Sequence, residues 1–246
     1  MPASISRRTA LATVVAVLAA SAFVLVLGTR TDAGDWSSPH QAPHAVGRLD
    51  PGFHAPAVDS FYSSQVINPA PETWTKVRPS ATYRVLVLAA GKDARTPADP
   101  QVAILVAAVR KWVKAEDRVT LKLRYLSDSH TFIQGIDDAA RKSHADLIIT
   151  AGNSLVEPVA AVSANYAGEH PRQFLVLGAE VAEPTINIAA TDWKGSAYLG
   201  EGLEESLFYH PSAVTPTRAY AALRAGVAAV LSGYTSVIVR IPTDRY

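Results

Sequence analysis

Small and polar residues gather wherever a short apolar run of this chain stops. Gly91, Lys92, Asp93, Arg95 and Thr96 follow the run 85–88, and Asp128 and Ser129 follow the run 119–126. Gly152, Asn153 and Ser154 follow 147–150; Gly178, Ala179 and Glu180 follow 174–177; Asp192 and Trp193 follow 186–190. At such points glycine and short side chains let backbone N–H groups approach a solute. Carboxylates accept hydrogen bonds, an amide both donates and accepts, and an indole stacks. The same residue types also shape turns and cap helices. From this set Asp93, Asn153, Ser154, Glu180, Asp192 and Trp193 are the expected ligand-binding residues.

Catalytic and metal chemistry find less support. Gly152-Asn153-Ser154-Leu155-Val156 carries half of a G-x-S-x-G nucleophile elbow, but the second glycine is missing and no base follows. No spacing ties His170 or His210 to that serine. His40 and His44 are four apart but flank Pro43, so they do not share a helix face as a metal pair would. No G-x-G-x-x-G follows the first apolar run, and no Walker loop is present. Glu204-Glu205 and Asp137-Asp138 are adjacent rather than a helical turn apart, as on a solvated face. There are no cysteines, which excludes disulfides, thiolate metal sites and a lipid-bearing N-terminal Cys. The expectation is a non-enzyme with no catalytic residue, metal or cofactor.

The elements that would position these residues are legible from periodicity. The stretch 83–93 holds a continuous apolar run closed by Gly91, the pattern of a strand covered on both faces. Further runs at 119–126, 147–150, 174–177, 186–190 and 237–241 are mostly separated by amphipathic segments. The first helix starts at Asp99-Pro100, an N-cap followed by proline at the first helical position. Ser127-Asp128-Ser129 caps a second; 156–166, 196–208 and 217–231 complete the set, the last stopped by Gly233. Strand alternating with helix predicts an α/β fold: one three-layer (αβα), doubly wound, mainly parallel sheet. Ligands of such sheets lie outside the C-terminal ends of the strands, where the polar residues fall.

Ahead of this domain, residues 9–28 are uncharged and almost wholly apolar, between Arg7-Arg8 and Arg30. That length suits a transmembrane anchor or signal helix. Small residues at Ala20-Ser21-Ala22 suit a peptidase, but a cut there would leave Phe23 to Leu27 on the mature end, so an uncleaved anchor is expected. Ser6-Arg7-Arg8-Thr9-Ala10-Leu11 also resembles a twin-arginine export signal, without its usual Phe. Either route keeps 1–8 cytoplasmic and the remainder outside: single-pass at the cell membrane, or exported if cleaved. Residues 29–80 hold Pro39, Pro43, Pro51, Pro56, Pro69, Pro71 and Pro79 and read as an extracytoplasmic spacer. Its apolar residues, among them Phe53, Val66, Ile67 and Trp74, imply that part of it lies against the domain at 81–246. The net charge of +1 offers nothing to nucleic acid.

Three segments resemble the basic membrane protein (BMP, Med-like) family of substrate-binding proteins. His144-Ala-Asp-Leu-Ile-Ile-Thr-Ala-Gly-Asn153 is similar to its "aDlIig.G" strand, and Asn165 through Gly178 to its "a..yPd.kFaiiD". Residues 187–200 are similar to "Nv.s..f...egsyLaG", in which a strand runs into a helix. The resemblance implies a flavodoxin-like lobe of a type I periplasmic binding protein, a nucleoside-like solute and an ABC-transporter partner. The family's lipid-bearing cysteine is absent. Its first-loop Asp-x-Ser-Phe-Asn run is replaced by Asp93-Ala-Arg-Thr-Pro97, which keeps the aspartate but not the aromatic or the amide. After Gly200 the chain has room for about one more helix and strand, so one lobe is expected, with 217–241 as its returning segment. The expected function is a membrane-anchored, extracytoplasmic solute-binding or sensing module that binds weakly. The alternative is a ligand-free accessory subunit docking on a membrane complex.

Overall fold

The computed structural model describes residues 35–54, 66–169, 171–196 and 209–246. The expected membrane or signal helix at 9–28, and the expected helix at 196–208 beyond Ser196, lie outside the described residues. Among the described residues no helix is long and apolar enough to cross a membrane.

The strands in chain order are β1 (Ala45–Val46), β2 (Val66–Ile67), β3 (Arg78–Pro79), β4 (Tyr83–Ala90), β5 (Val119–Leu126), β6 (Leu147–Ala151), β7 (Gln173–Leu177), β8 (Ile188–Asp192) and β9 (Val237–Arg240). Among the described residues four α-helices accompany them: α1 (Pro100–Ala115), α2 (Phe132–Lys142), α3 (Val156–Ser163) and α4 (Pro216–Leu231). β1 and β3 form a small antiparallel pair, and the other seven strands form one sheet in the order β2-β9-β8-β7-β6-β4-β5. Every pairing in that sheet is parallel. All eight residues of β4 are buried, as a strand between two neighbours under helices requires. At the edge, β5 alternates instead, with Lys122 and Arg124 exposed.

Local signals account for the helix ends. Asp99 Oδ1 accepts the N–H of Val102 at 2.7 Å ahead of α1, and Thr215 Oγ1 accepts that of Arg218 at 3.3 Å ahead of α4. After α4 the N–H of Gly233 reaches the Val230 carbonyl at 3.0 Å and that of Tyr234 the Ala229 carbonyl at 2.9 Å, a Schellman closure. The segment expected as one helix over 156–166 is α3 followed by a 3₁₀ turn, Ala164–Tyr166. One strand is shifted. The run 186–190 is expected as strand, but Ile186 is 63% exposed and the strand spans Ile188–Asp192. Asn187 ends the turn ahead of it: its buried side-chain amide donates to the carbonyls of Ser163 and Arg172, both at 3.0 Å.

Crossover direction sorts the helices. β5 lies on one side of β4, and the chain then returns across β4 to β6 and steps outward through β7, β8 and β9. α2 and α3 pack together on one face, whereas α1 and α4 pack on each other on the opposite one.

The proline-rich residues before β4 that the structure describes are packed. β2 pairs with β9 at the sheet edge, and Trp36, Phe53, Trp74 and Val77 are buried in the core. Phe53 and His54 meet Tyr234 edge-to-face, with centroids 5.9 and 4.4 Å away. This cover lets α4 be buried on nearly all sides, Ala221 through Val230 without interruption. Within it Arg224 Nη1 donates to Glu116 Oε1 at 2.9 Å, and Nη2 reaches the carbonyls of Thr75 and Val77 at 3.4 and 3.3 Å. Arg78 also pairs with Glu116. Burial holds the Arg224 guanidinium below its usual value, and the Glu116 carboxylate opposes that shift. At the start of β4, Arg84 donates to the carbonyls of Asp35 and Ser38 at 2.6 and 2.7 Å, fixing the first described residues to the sheet.

Candidate functional site

Strand order reverses between β4 and β6, and there the two following connections diverge. After β4 the chain makes a tight loop in which Gly91 bridges Pro97 and the N–H of Lys92 reaches the Thr96 carbonyl at 3.0 Å. Asp93 Oδ1 accepts the N–H groups of Arg95 and Thr96 at 2.7 and 2.8 Å, so this carboxylate shapes its own loop. The Arg95 N–H first, then the Thr96 hydroxyl and N–H, hold the exposed carboxyl below the usual carboxylate value.

After β6, Gly152 adopts φ +118°, where a side chain is strained, and a Cβ there would stand 3.0 Å from Ala90 Cβ. This close approach carries the chain over the end of β4 into a 3₁₀ turn, Asn153–Leu155. Asn153 and Ser154 are exposed, and neither side chain makes a hydrogen bond to another described residue. This edge of the sheet thus offers an exposed amide, hydroxyl and carboxylate, ahead of the capped N-terminus of α1. Among the described residues no three His, Asp or Glu side chains gather as a metal site would need. Of the spaced histidines, His40 Nε2 lies 2.8 and 2.9 Å from the two oxygens of Asp146, and His44 Nδ1 lies 3.2 Å from Ser80 Oγ.

The other three expected residues stand elsewhere. Asp192 is the last residue of β8 and sits in register with Arg240 at the end of β9. Arg240 Nε and Nη2 donate to Asp192 Oδ2 at 3.1 and 3.0 Å, and Nη2 also pairs with Glu180, just beyond β7. Burial, then the neighbouring Glu180, push the Asp192 carboxyl well above the usual carboxylate value, with Arg240 pulling the other way. Trp193 is 1% exposed, and its Nε1–H donates to the Ala213 carbonyl at 2.8 Å. Its ring is core, closed to a solute that would stack from solvent. From β6 to β8 is two strand spacings, about 10 Å, so the six residues form two groups rather than one.

No family model and no curated protein matches the chain. Among solved structures it is similar to an ABC transporter system solute-binding protein from Aeropyrum pernix K1. That match has 19% identity over 46% of this chain and 29% of the other, with a TM-score of 0.36. A solute-binding protein of an ABC transporter system from Conexibacter woesei DSM 14684 is similar at 20% identity, over 46% and 36% of the two chains, with a TM-score of 0.34. A fragment described as a lipoprotein, from Peptoclostridium difficile 630, is similar at 20% identity, over 45% of this chain and 84% of the fragment, with a TM-score of 0.38. The likeness is remote and concerns the α/β fold over about half of this chain. The matched part spans 29% and 36% of the two solute-binding proteins.

Reading the sequence for site residues passed over Arg240. The signal was present: a charged residue between Val239 and Ile241, inside an otherwise apolar run. The same holds for Arg224, in a helix whose neighbours on both sides are alanine, leucine and valine.

Proposed function

We propose that this chain is an extracytoplasmic solute-binding or sensing module, a single-lobe relative of the BMP-type substrate-binding proteins. It holds a small nucleoside-like solute in the crevice between the ends of β4 and β6. The observation that carries this reading is the strand-order reversal, where the loop after β4 and the glycine-led turn after β6 leave Asp93, Asn153 and Ser154 exposed with hydrogen-bonding capacity to spare. Asn153 would read a base or ribose edge, and the exposed Asp93 carboxylate would accept from a hydroxyl. A crevice with one wall covers less of a ligand than the roughly 70–90% of tight sites, so binding is weak. The reaction class is binding, not catalysis. The membrane tether at 9–28 and an ABC-transporter partner belong to the same proposal.

A thermal-shift screen of the purified protein against nucleosides and other small solutes tests it. The expected result is a rise in Tm with a nucleoside that Asn153→Ala abolishes while the unliganded Tm stays unchanged. A second reading, a ligand-free subunit that docks on a membrane complex, is favoured by the outer edge of β5, which pairs with no strand among the described residues. No stabilisation by any solute, with recovery of an intact complex in mild detergent, would select it.

A further inference from the structure

The contacts of Glu180, Asp192 and Arg240 leave one negative charge unbalanced. Arg240 Nη2 donates to Glu180 Oε1 and to Asp192 Oδ2, so two carboxylates converge on a single guanidinium nitrogen. The other oxygen of Asp192, Oδ1, is sealed from solvent and has no hydrogen-bond partner among the described residues. The side chains of Asp192 and Glu180 are only 3% and 13% exposed. With all three groups ionised, two like charges would touch where little water reaches them. A single proton removes that repulsion, cancels the net charge and lets one carboxyl donate to the other.

We infer that Glu180 and Asp192 form a proton-binding site that holds one proton between them, with Arg240 as its fixed counter-charge. The protonated trio ties the end of β8 to the end of β9 and to the turn after β7, and loss of the proton loosens that tie. The charged groups bearing on Asp192 from the adjoining strands are Glu180 and Arg240. Lys194 and His210, in the connection that leaves β8, are both exposed. Burial and the Glu180 charge raise the Asp192 carboxyl, so the folded state binds this proton more tightly than the unfolded one. The resulting stability is fully present below the unfolded carboxylate value and declines as pH rises through the raised one. The site stands apart from the crevice between β4 and β6.

Infrared spectra and thermal unfolding of the purified full chain, from about pH 5 to about pH 9, test the inference. The wild type should show a protonated carboxylic-acid stretch at neutral pH that Asp192→Asn lacks. Because the amide imitates the protonated acid, Asp192→Asn should fold, and its Tm should exceed that of the wild type by a gap that widens by a few degrees as pH rises. Glu180→Gln removes the like charge, so the acid stretch should persist only to lower pH than in the wild type. Absence of the acid stretch from the wild type overturns the inference. So does a Tm gap that stays constant with pH, or failure of Asp192→Asn to fold.

Discussion

Replacing Arg224 by methionine tests whether the residues before β4 belong to the folded unit. Arg224 is buried in α4, joined to Glu116 Oε1 at 2.9 Å and to the carbonyls of Thr75 and Val77 at 3.4 and 3.3 Å. Methionine keeps most of the stem and removes the charge. Taking one partner from a buried pair costs about 3–5 kcal/mol. Glu116 retains Arg78, whose side chain is 53% exposed, and this places the loss at or below the lower end of that range. The two carbonyls give up long bonds worth about 0.5 kcal/mol each. A total of about 3 kcal/mol corresponds to a fall in Tm of about 6–12 °C for a chain of this size. Glu116→Gln should cost a similar amount, because it leaves Arg224 buried without a counter-charge. The double variant should be less destabilised than the sum of the singles by about 1–3 kcal/mol. Urea unfolding of the three variants supplies the cycle, and limited proteolysis should show the segment 66–80 cut faster in Arg224→Met. A loss below about 1 kcal/mol with strictly additive singles would refute the reasoning, since the buried pair would then hold nothing.

Other substitutions probe the packing and the site. A methyl group at Gly226 would stand 2.5 Å from Leu175 Cδ1 and 2.6 Å from Thr191 Cγ2, both in the sheet beneath α4. Gly226→Ala should therefore cost about 1–2 kcal/mol in urea unfolding, overpacking outweighing the gain in helix propensity. Gly135→Ala in α2 meets only the end of Leu126, 2.9 Å from Cδ2, and should lie within about 0.5 kcal/mol of the wild type. Asp99→Ala removes the α1 cap and should cost about 1 kcal/mol by the same measurement. The half-buried Asp138 carboxyl is held below its ordinary value by Lys142 first and Arg141 second. Its contribution exists above the unfolded carboxylate value and is lost as pH falls through the lowered one. The Tm difference between the wild type and Asp138→Asn should accordingly vanish on acidification.

The α/β class, the parallel runs and most helix boundaries were legible in the sequence because their causes are local. An apolar run between turns, Asp99 before Pro100 and Gly233 after α4 act within one turn of chain, and a reader of residues meets them together. Asn153 and Ser154 were legible as site candidates for the same reason: a turn that follows a strand of a parallel sheet must emerge at its C-terminal edge. The misplaced strand start shows the limit. Ile186 is as apolar as Ile188, but the buried amide of Asn187 needs the carbonyls of Ser163 and Arg172, and only the fold supplies them.

What tertiary structure alone decided are the pairings across long separations. Arg240 meets Asp192 and Glu180 at 48 and 60 residues' distance along the chain, and Arg224 meets Glu116 at 108. Those partners divert Asp192 and Glu180 from solvent, just as the carbonyl of Ala213 fixes Trp193 in the core. The seat of Val66–Ile67 beside β9 is of the same kind. Residue type sets what a side chain can bond to and whether it tolerates burial. Which partner it finds depends on which strands the crossovers bring side by side, and that arrangement is a property of the whole sheet rather than of any window of sequence.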